Sequence, residues 1–138
     1  MSADRFKGRP PLPQLWHGVM TEWHWVAYHP QHLTLSDETD IGCFTSFHAQ
    51  HGIVVEDGVQ IGSHCSIYSL STIGTDGEVK GKVTIEKNAS IGSHSTVMPG
   101  VTIGEGATVG AHSLVLKDIP AHTVAWGVPA KVVRRLKL

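Results

Sequence analysis

The sequence predicts an all-β chain wound as a parallel β-helix, a triangular solenoid with three short strands per turn. Three observations point there. Aliphatic residues recur every six positions at Val55, Ile61, Ile67 and Ile73, then at Ile85, Ile91, Val97, Ile103, Val109 and Val115. A small or slim residue stands four places after the aliphatic position at Val59, Cys65, Ser71, Ala89, Ser95, Val101, Ala107 and Ser113, and likewise at Thr39 and Thr45 after Leu35 and Ile41. Glycine stands directly after the aliphatic position at Gly42, Gly62, Gly74, Gly92, Gly104 and Gly110.

A period of six suits no α-helix, whose apolar stripe repeats every 3.6 residues. It suits a short strand and a corner, repeated. The aliphatic side chain fills the interior, glycine permits the turn, and the small residue packs beneath. Three such units close a coil of about 18 residues, and coils stack at about 4.8 Å, the spacing between paired strands. A β-sandwich would space its strands at about 8–12 residues.

The elements follow in order. Residues 1–32 read as an N-terminal extension that caps the open end of the prism. They carry Arg9-Pro10-Pro11-Leu12-Pro13 and then Trp16, Trp23 and Trp25. An uncapped coil would expose strand edges. Residues 33–119 form the β-helix, with four to five coils. Leu35, Ile41 and Phe47 keep the six-residue spacing but stand two residues out of phase. A short insertion at Gln50-His51-Gly52 accounts for that slip. Residues 74–82 are polar and glycine-rich, which reads as an excursion from one corner. Val79 keeps the phase, so a regular rung is the alternative. Residues 120–138 leave the repeat at Pro120 and fit a short strand or helix.

Composition narrows the function. The 138 residues carry a formal net charge of −1, with 41% hydrophobic and 17% charged residues. No basic excess invites nucleic acid or an anionic membrane surface. No apolar run is long enough to span a bilayer, and no signal-peptide pattern is present. Cys43 and Cys65 lack zinc-finger spacing and disulfide density, so a reducing cytoplasm is expected.

Residues 83–135 carry a familiar pattern. Val83-Thr84-Ile85, Ile91-Gly92-Ser93-His94 and Met98-Pro99-Gly100-Val101-Thr102-Ile103-Gly104 are followed by Val109-Gly110-Ala111-His112-Ser113. Lys117-Asp118-Ile119-Pro120 and Gly127-Val128-Pro129-Ala130-Lys131 complete it. This resembles the galactoside and maltose O-acetyltransferase branch of the hexapeptide-repeat acyltransferases. The resemblance implies a left-handed β-helix, a homotrimer, and acetyl-CoA lying in the groove between two subunits. It implies contacts to that donor from Ser93, Ala111, Lys117, Lys131 and Arg134. Small residues would let the pantetheine arm lie flush, and basic side chains would neutralise phosphate.

One departure concerns the base. The O-acetyltransferase branch has a histidine a few residues after the stretch matching Ile67-Tyr68-Ser69, whereas Leu70-Ser71-Thr72-Ile73 stands here. Attack of a hydroxyl on a thioester still needs proton removal. His48 and His51 flank the phase slip and are the candidate replacements. Their stretch is also similar to the His-Ala-x-Gly-Ile-Val-Val segment of serine acetyltransferases. One residue is inserted here, so which histidine corresponds stays open, with His48 favoured. An amine acceptor would relax the need for a base.

The expected activity is transfer of an acetyl group to a hydroxyl or amine of a sugar or nucleotide sugar, in surface-polysaccharide biosynthesis. Two other readings compete. One is a γ-class carbonic anhydrase-like metalloenzyme, for which His48, His51 and His64 offer ligands. The other is a non-catalytic scaffold.

Overall fold

In the computed structural model, the described residues are 11, 12 and 14–137. Residues 1–10, Pro13 and Leu138 lie outside them, and with them most of the proline-rich run assigned to the cap. The described residues form an all-β parallel solenoid of about five turns, of the left-handed β-helix class. Three sheets make the three faces of the prism.

The first face stacks Val26–Tyr28, Ser46–His48, Ser66–Tyr68, Thr96–Val97 and Leu114–Val115. The second stacks Leu33–Leu35, Ile53–Val55, Val83–Ile85 and Thr102–Ile103, and closes on an Ile103–Ile119 bridge. The third stacks Asp40–Ile41, Gln60–Ile61, Ser90–Ile91, Thr108–Val109 and Thr123–Gly127. Ala130–Arg135 then folds back antiparallel on Thr123–Gly127, so the C-terminal extension is a β-hairpin. Among the described residues, no helix is long and apolar enough to cross a membrane.

The hexad ladder is the core. Ile53, Ile67, Ile85, Val97 and Ile103 are fully buried, and Ile61 and Ile91 nearly so. Each inward side chain stacks on its register partner in the next coil: Ile61 on Ile91, and Ile91 on Val109. Nine of the ten small positions are buried beneath them, from Thr39 to Ser113. Their hydroxyls serve the corners. Thr45 Oγ1 donates to the Gly62 carbonyl at 2.8 Å, and Ser113 Oγ to the Gly110 carbonyl at 2.7 Å. Buried carbonyls that a turn leaves unpaired are thereby satisfied.

The corner glycines serve a different end from the one expected. Gly62, Gly92 and Gly110 do not have positive φ. A Cβ on Gly92 would stand 2.4 Å from the Ala111 nitrogen in the next coil. Close stacking of coil on coil, not a left-handed turn, excludes a side chain there. The left-handed residue comes two places later and is not glycine: Phe44, His64, His94 and His112 have φ of 63°, 56°, 61° and 57°.

Two further corrections concern the repeat. Ile73 is 88% exposed and Val79 56% exposed, so neither belongs to a rung. Leu70–Ser71 and Val79–Lys80 pair antiparallel as the stem of an excursion, and Ser71 is only half-buried. The excursion inserts twelve residues, two whole hexads, and therefore leaves the phase of the sequence undisturbed. Of the three N-terminal tryptophans, Trp25 enters the core, meeting Phe47 edge to face at 5.7 Å. Trp16 and Trp23 remain 62% and 41% exposed, and Trp23 lines a cavity with Trp25, Thr39 and Ile41 of the first coil.

The phase slip at Gln50-His51-Gly52 is real. Phe47 and Val55 are inward on successive faces, eight residues apart instead of six. A matching slip at the same corner of the first coil is filled by a short 3-10 turn, Pro30–His32.

Candidate active site

His48 ends the strand Ser46–His48 and points outward, since Phe47 beside it points in. Its imidazole lies between two phenol rings, 4.9 Å from Tyr28 at 13° and 4.5 Å from Tyr68 at 21°. All three occupy the same register position in consecutive coils. Nε2 of His48 is 3.0 Å from Ser46 Oγ. The rings bury the imidazole, and that desolvation lowers its pKa below the ordinary 6.5. His48 is consequently neutral near pH 7, with one ring nitrogen able to accept a proton.

Ser69 holds the corner on which both candidate histidines sit. Its buried hydroxyl donates to the His48 carbonyl at 2.6 Å and accepts from the His51 backbone N–H at 3.0 Å. Ser69 thus adds its hydroxyl to the ladder bond that its own backbone N–H makes to the same His48 carbonyl at 2.9 Å. His51 itself is exposed. Between the two histidines, Gln50 Oε1 is buried without a hydrogen-bond partner.

A second group of candidates lies elsewhere. Ser93 and Ala111 line a shallow groove of about 490 Å³ down the outer side of the third face, floored by Gly62, Gly92 and Gly110. Small residues at every level make its floor smooth. Along the rim, at the corner with the first face, stand the left-handed residues. His64 stacks on His94 at 4.6 Å and 7°, and His94 on His112 at 4.9 Å and 3°. Phe44 continues the row against His64 at 5.1 Å.

Lys131 and Arg134 sit on the returning strand of the C-terminal hairpin, opposite Trp126 and Val124 respectively. Val124 and Trp126 are register successors of the outward Thr108 and Gly110. Cross-strand partners share a face, so both basic residues belong to the groove side of the third face. Lys117 does not. It is exposed at the corner between the first and second faces, the corner of His48 and His51. Three coils separate it from His48, about 14 Å along the axis. His64, on the rim of the groove, is on a different corner from His48 and His51.

Within one chain the candidates therefore form two sets on different sides of the prism. Ser93, Ala111, Lys131 and Arg134 belong to the groove. His48, His51 and Lys117 belong to the opposite corner. Tyr28, Tyr68, Ser69 and Trp126 were not singled out from the sequence. The spacing of Tyr28, His48 and Tyr68 is twenty residues, which no regular hexad count reveals.

Residues 82–117 match the family described as bacterial transferase hexapeptide (six repeats). Fold and repeat together define the class: a parallel β-helix protein with a hexapeptide repeat, similar in fold to hexapeptide-repeat acyltransferases. Among solved structures it is similar to the hexapeptide-repeat-containing acetyltransferase VCA0836 from Vibrio cholerae. The identity is 27% and the TM-score 0.77, over 82% of this chain and 68% of that one. The same protein complexed with acetyl coenzyme A matches at 28% identity and a TM-score of 0.77, over 82% and 65%. A variant of AntD, an N-acyltransferase from Bacillus cereus, is similar at 26% identity and a TM-score of 0.71, over 83% and 67%. That structure holds dTDP-4-amino-4,6-dideoxyglucose and coenzyme A. The chain thus spans about two thirds of the length of these proteins. No curated protein matches it in sequence.

Proposed function

We propose that this chain transfers an acetyl group from acetyl-CoA to a hydroxyl or amine of a sugar or nucleotide sugar, as a homotrimer. The observation that carries this reading is the division of the candidates into two sets. The groove with Ser93, Ala111, Lys131 and Arg134 suits a long, phosphorylated thioester donor. The corner with His48 and His51 suits proton transfer. One chain cannot bring both to one bond. A trimer that sets the groove of one protomer against the corner of the next makes a cleft with donor site and base together. Bound coenzyme A in VCA0836 and AntD, and the nucleotide amino sugar in AntD, support the same substrates here. Surface-polysaccharide biosynthesis is the setting such acceptors suggest.

The chemistry asked of the residues is modest. Acceptor oxygen or nitrogen attacks the thioester carbonyl, the C–S bond breaks, and CoA leaves as the thiol. His48, unprotonated near pH 7, takes the proton that the acceptor gives up and passes it to the departing CoA sulfur, which restores the neutral ring. Its tyrosine neighbours hold the ring in one plane, so little orientation is lost on reaction. Ser93 and Ala111 let the pantetheine arm lie against the coil, and Lys131 and Arg134 meet phosphate.

The test is CoA release from acetyl-CoA over a panel of sugars and nucleotide sugars, with His48→Ala and His51→Ala in parallel. A hydroxyl acceptor should be used by the wild type and lose about 10²–10⁴-fold with the variant lacking the base. Full activity in both variants across pH 5 to 8, the range of histidine titration, would exclude either as base. No binding of acetyl-CoA, or stoichiometric zinc in the purified protein, would overturn the assignment itself.

A further inference from the structure

Trp126 belongs to no part of the repeat and to none of the roles above. It lies on the strand Thr123–Gly127 directly after the buried Val124 and Ala125, yet it is 53% exposed. Its position is set by the groove. The indole rests over Gly110: a Cβ built on that glycine would come within 2.9 Å of Trp126 Cβ and 3.7 Å of ring atoms Cγ and Cε3. Gly110 is also part of the groove floor. The ring therefore forms the end of the groove, one coil beyond Ala111. Opposite it on the returning strand is Lys131, and Arg134 is on the same side. An aromatic plane beside two cations, at the end of a smooth channel, is the chemistry that recognises a nucleotide: the plane takes a base and the cations take phosphate.

We propose that the indole of Trp126 is the stacking platform for the adenine of the CoA donor, with Lys131 and Arg134 meeting the phosphates next to it. The inference rests on the donor reading above and names the residue that would hold the far end of the donor. The adenine of CoA is favoured over the base of a nucleotide-linked acceptor because the platform is continuous with the groove holding Ser93 and Ala111.

Calorimetric binding of three ligands tests it: CoA, 4′-phosphopantetheine and dTDP, each to wild type, Trp126→Ala and Trp126→Phe. Truncation to alanine should weaken CoA about five-fold or more, phenylalanine should restore most of the loss, and 4′-phosphopantetheine should bind all three proteins alike. Indole fluorescence quenched by CoA in the wild type should be largely lost in Trp126→Phe. Equal loss for CoA and 4′-phosphopantetheine, a change in solution mass of the variants, or a selective loss of dTDP would overturn the proposal. If the wild type binds no CoA, the donor reading fails as well.

Discussion

The imidazole of His48 lies almost flat on the phenol of Tyr68, with ring centroids 4.5 Å apart. Tyr28 covers the other side. This burial resists protonation, because a charged ring would lose water that the phenols do not replace. The folded-state pKa is therefore below the unfolded value of 6.5. Above pH 6.5 neither state is charged and no penalty exists. As pH falls below 6.5 the unfolded chain takes the proton first, so stability is lost until the folded pKa is passed. Urea unfolding of wild type and His48→Gln at pH 7.5 and 5.5 should show a smaller acid loss in the variant. An equal loss would mean that His48 is not desolvated.

Ile91 and Ile73 share the same phase in the sequence, but only Ile91 is core. Ile91→Ala should cost about 2–5 kcal/mol, and Ile73→Ala should stay within about 0.5 kcal/mol. Chemical denaturation of both variants checks the pair. A large effect at Ile73 in a dilute monomer would return the excursion to the solenoid.

The left-handed backbone at His94 gives a further expectation. Asparagine tolerates φ near +60°, whereas a β-branched residue does not. His94→Asn should be close to neutral, and His94→Val should lose about 1–3 kcal/mol. Thermal unfolding distinguishes them. Similar losses in both would point to the stack with His64 and His112 as the source of stability instead of the backbone.

Gly92 is confined by its neighbour coil and not by its own torsion. The Ala111 backbone stands where a methyl group would go. Gly92→Ala should destabilise by about 1–3 kcal/mol through overpacking, and should narrow the groove beside Ser93. A neutral substitution would show that the coils can part at that corner.

The two cysteines should differ in chemistry. Cys43 is exposed, and Cys65 is buried with its thiol pKa raised by desolvation. A thiol reagent at pH 8 should modify one cysteine per chain quickly and the second only on unfolding. Rapid modification of both would contradict the packing of the coil at Cys65.

Much of this protein follows from its sequence alone. The six-residue alternation of Ile or Val with a small partner determines an inward ladder, because only a strand-and-corner unit repeats at that length. Ile61, Ile91 and Ile103 were legible on that ground, as was the slip at Gln50-His51-Gly52, where the phase visibly breaks. The excursion was half legible. Its glycines and charges mark a loop, but its twelve extra residues are two whole hexads, and a period cannot register an insertion of its own multiple. Ile73 was therefore misread. The stacking of His48 between Tyr28 and Tyr68, the seat of Trp126 over Gly110, and the separation of Lys117 from the groove were decided by tertiary structure. Each depends on which residues meet in neighbouring coils, at offsets of twenty, thirty, eighteen or sixteen residues set by the length of every corner between. A local pattern fixes which way a side chain faces, and only the wound chain fixes what it meets.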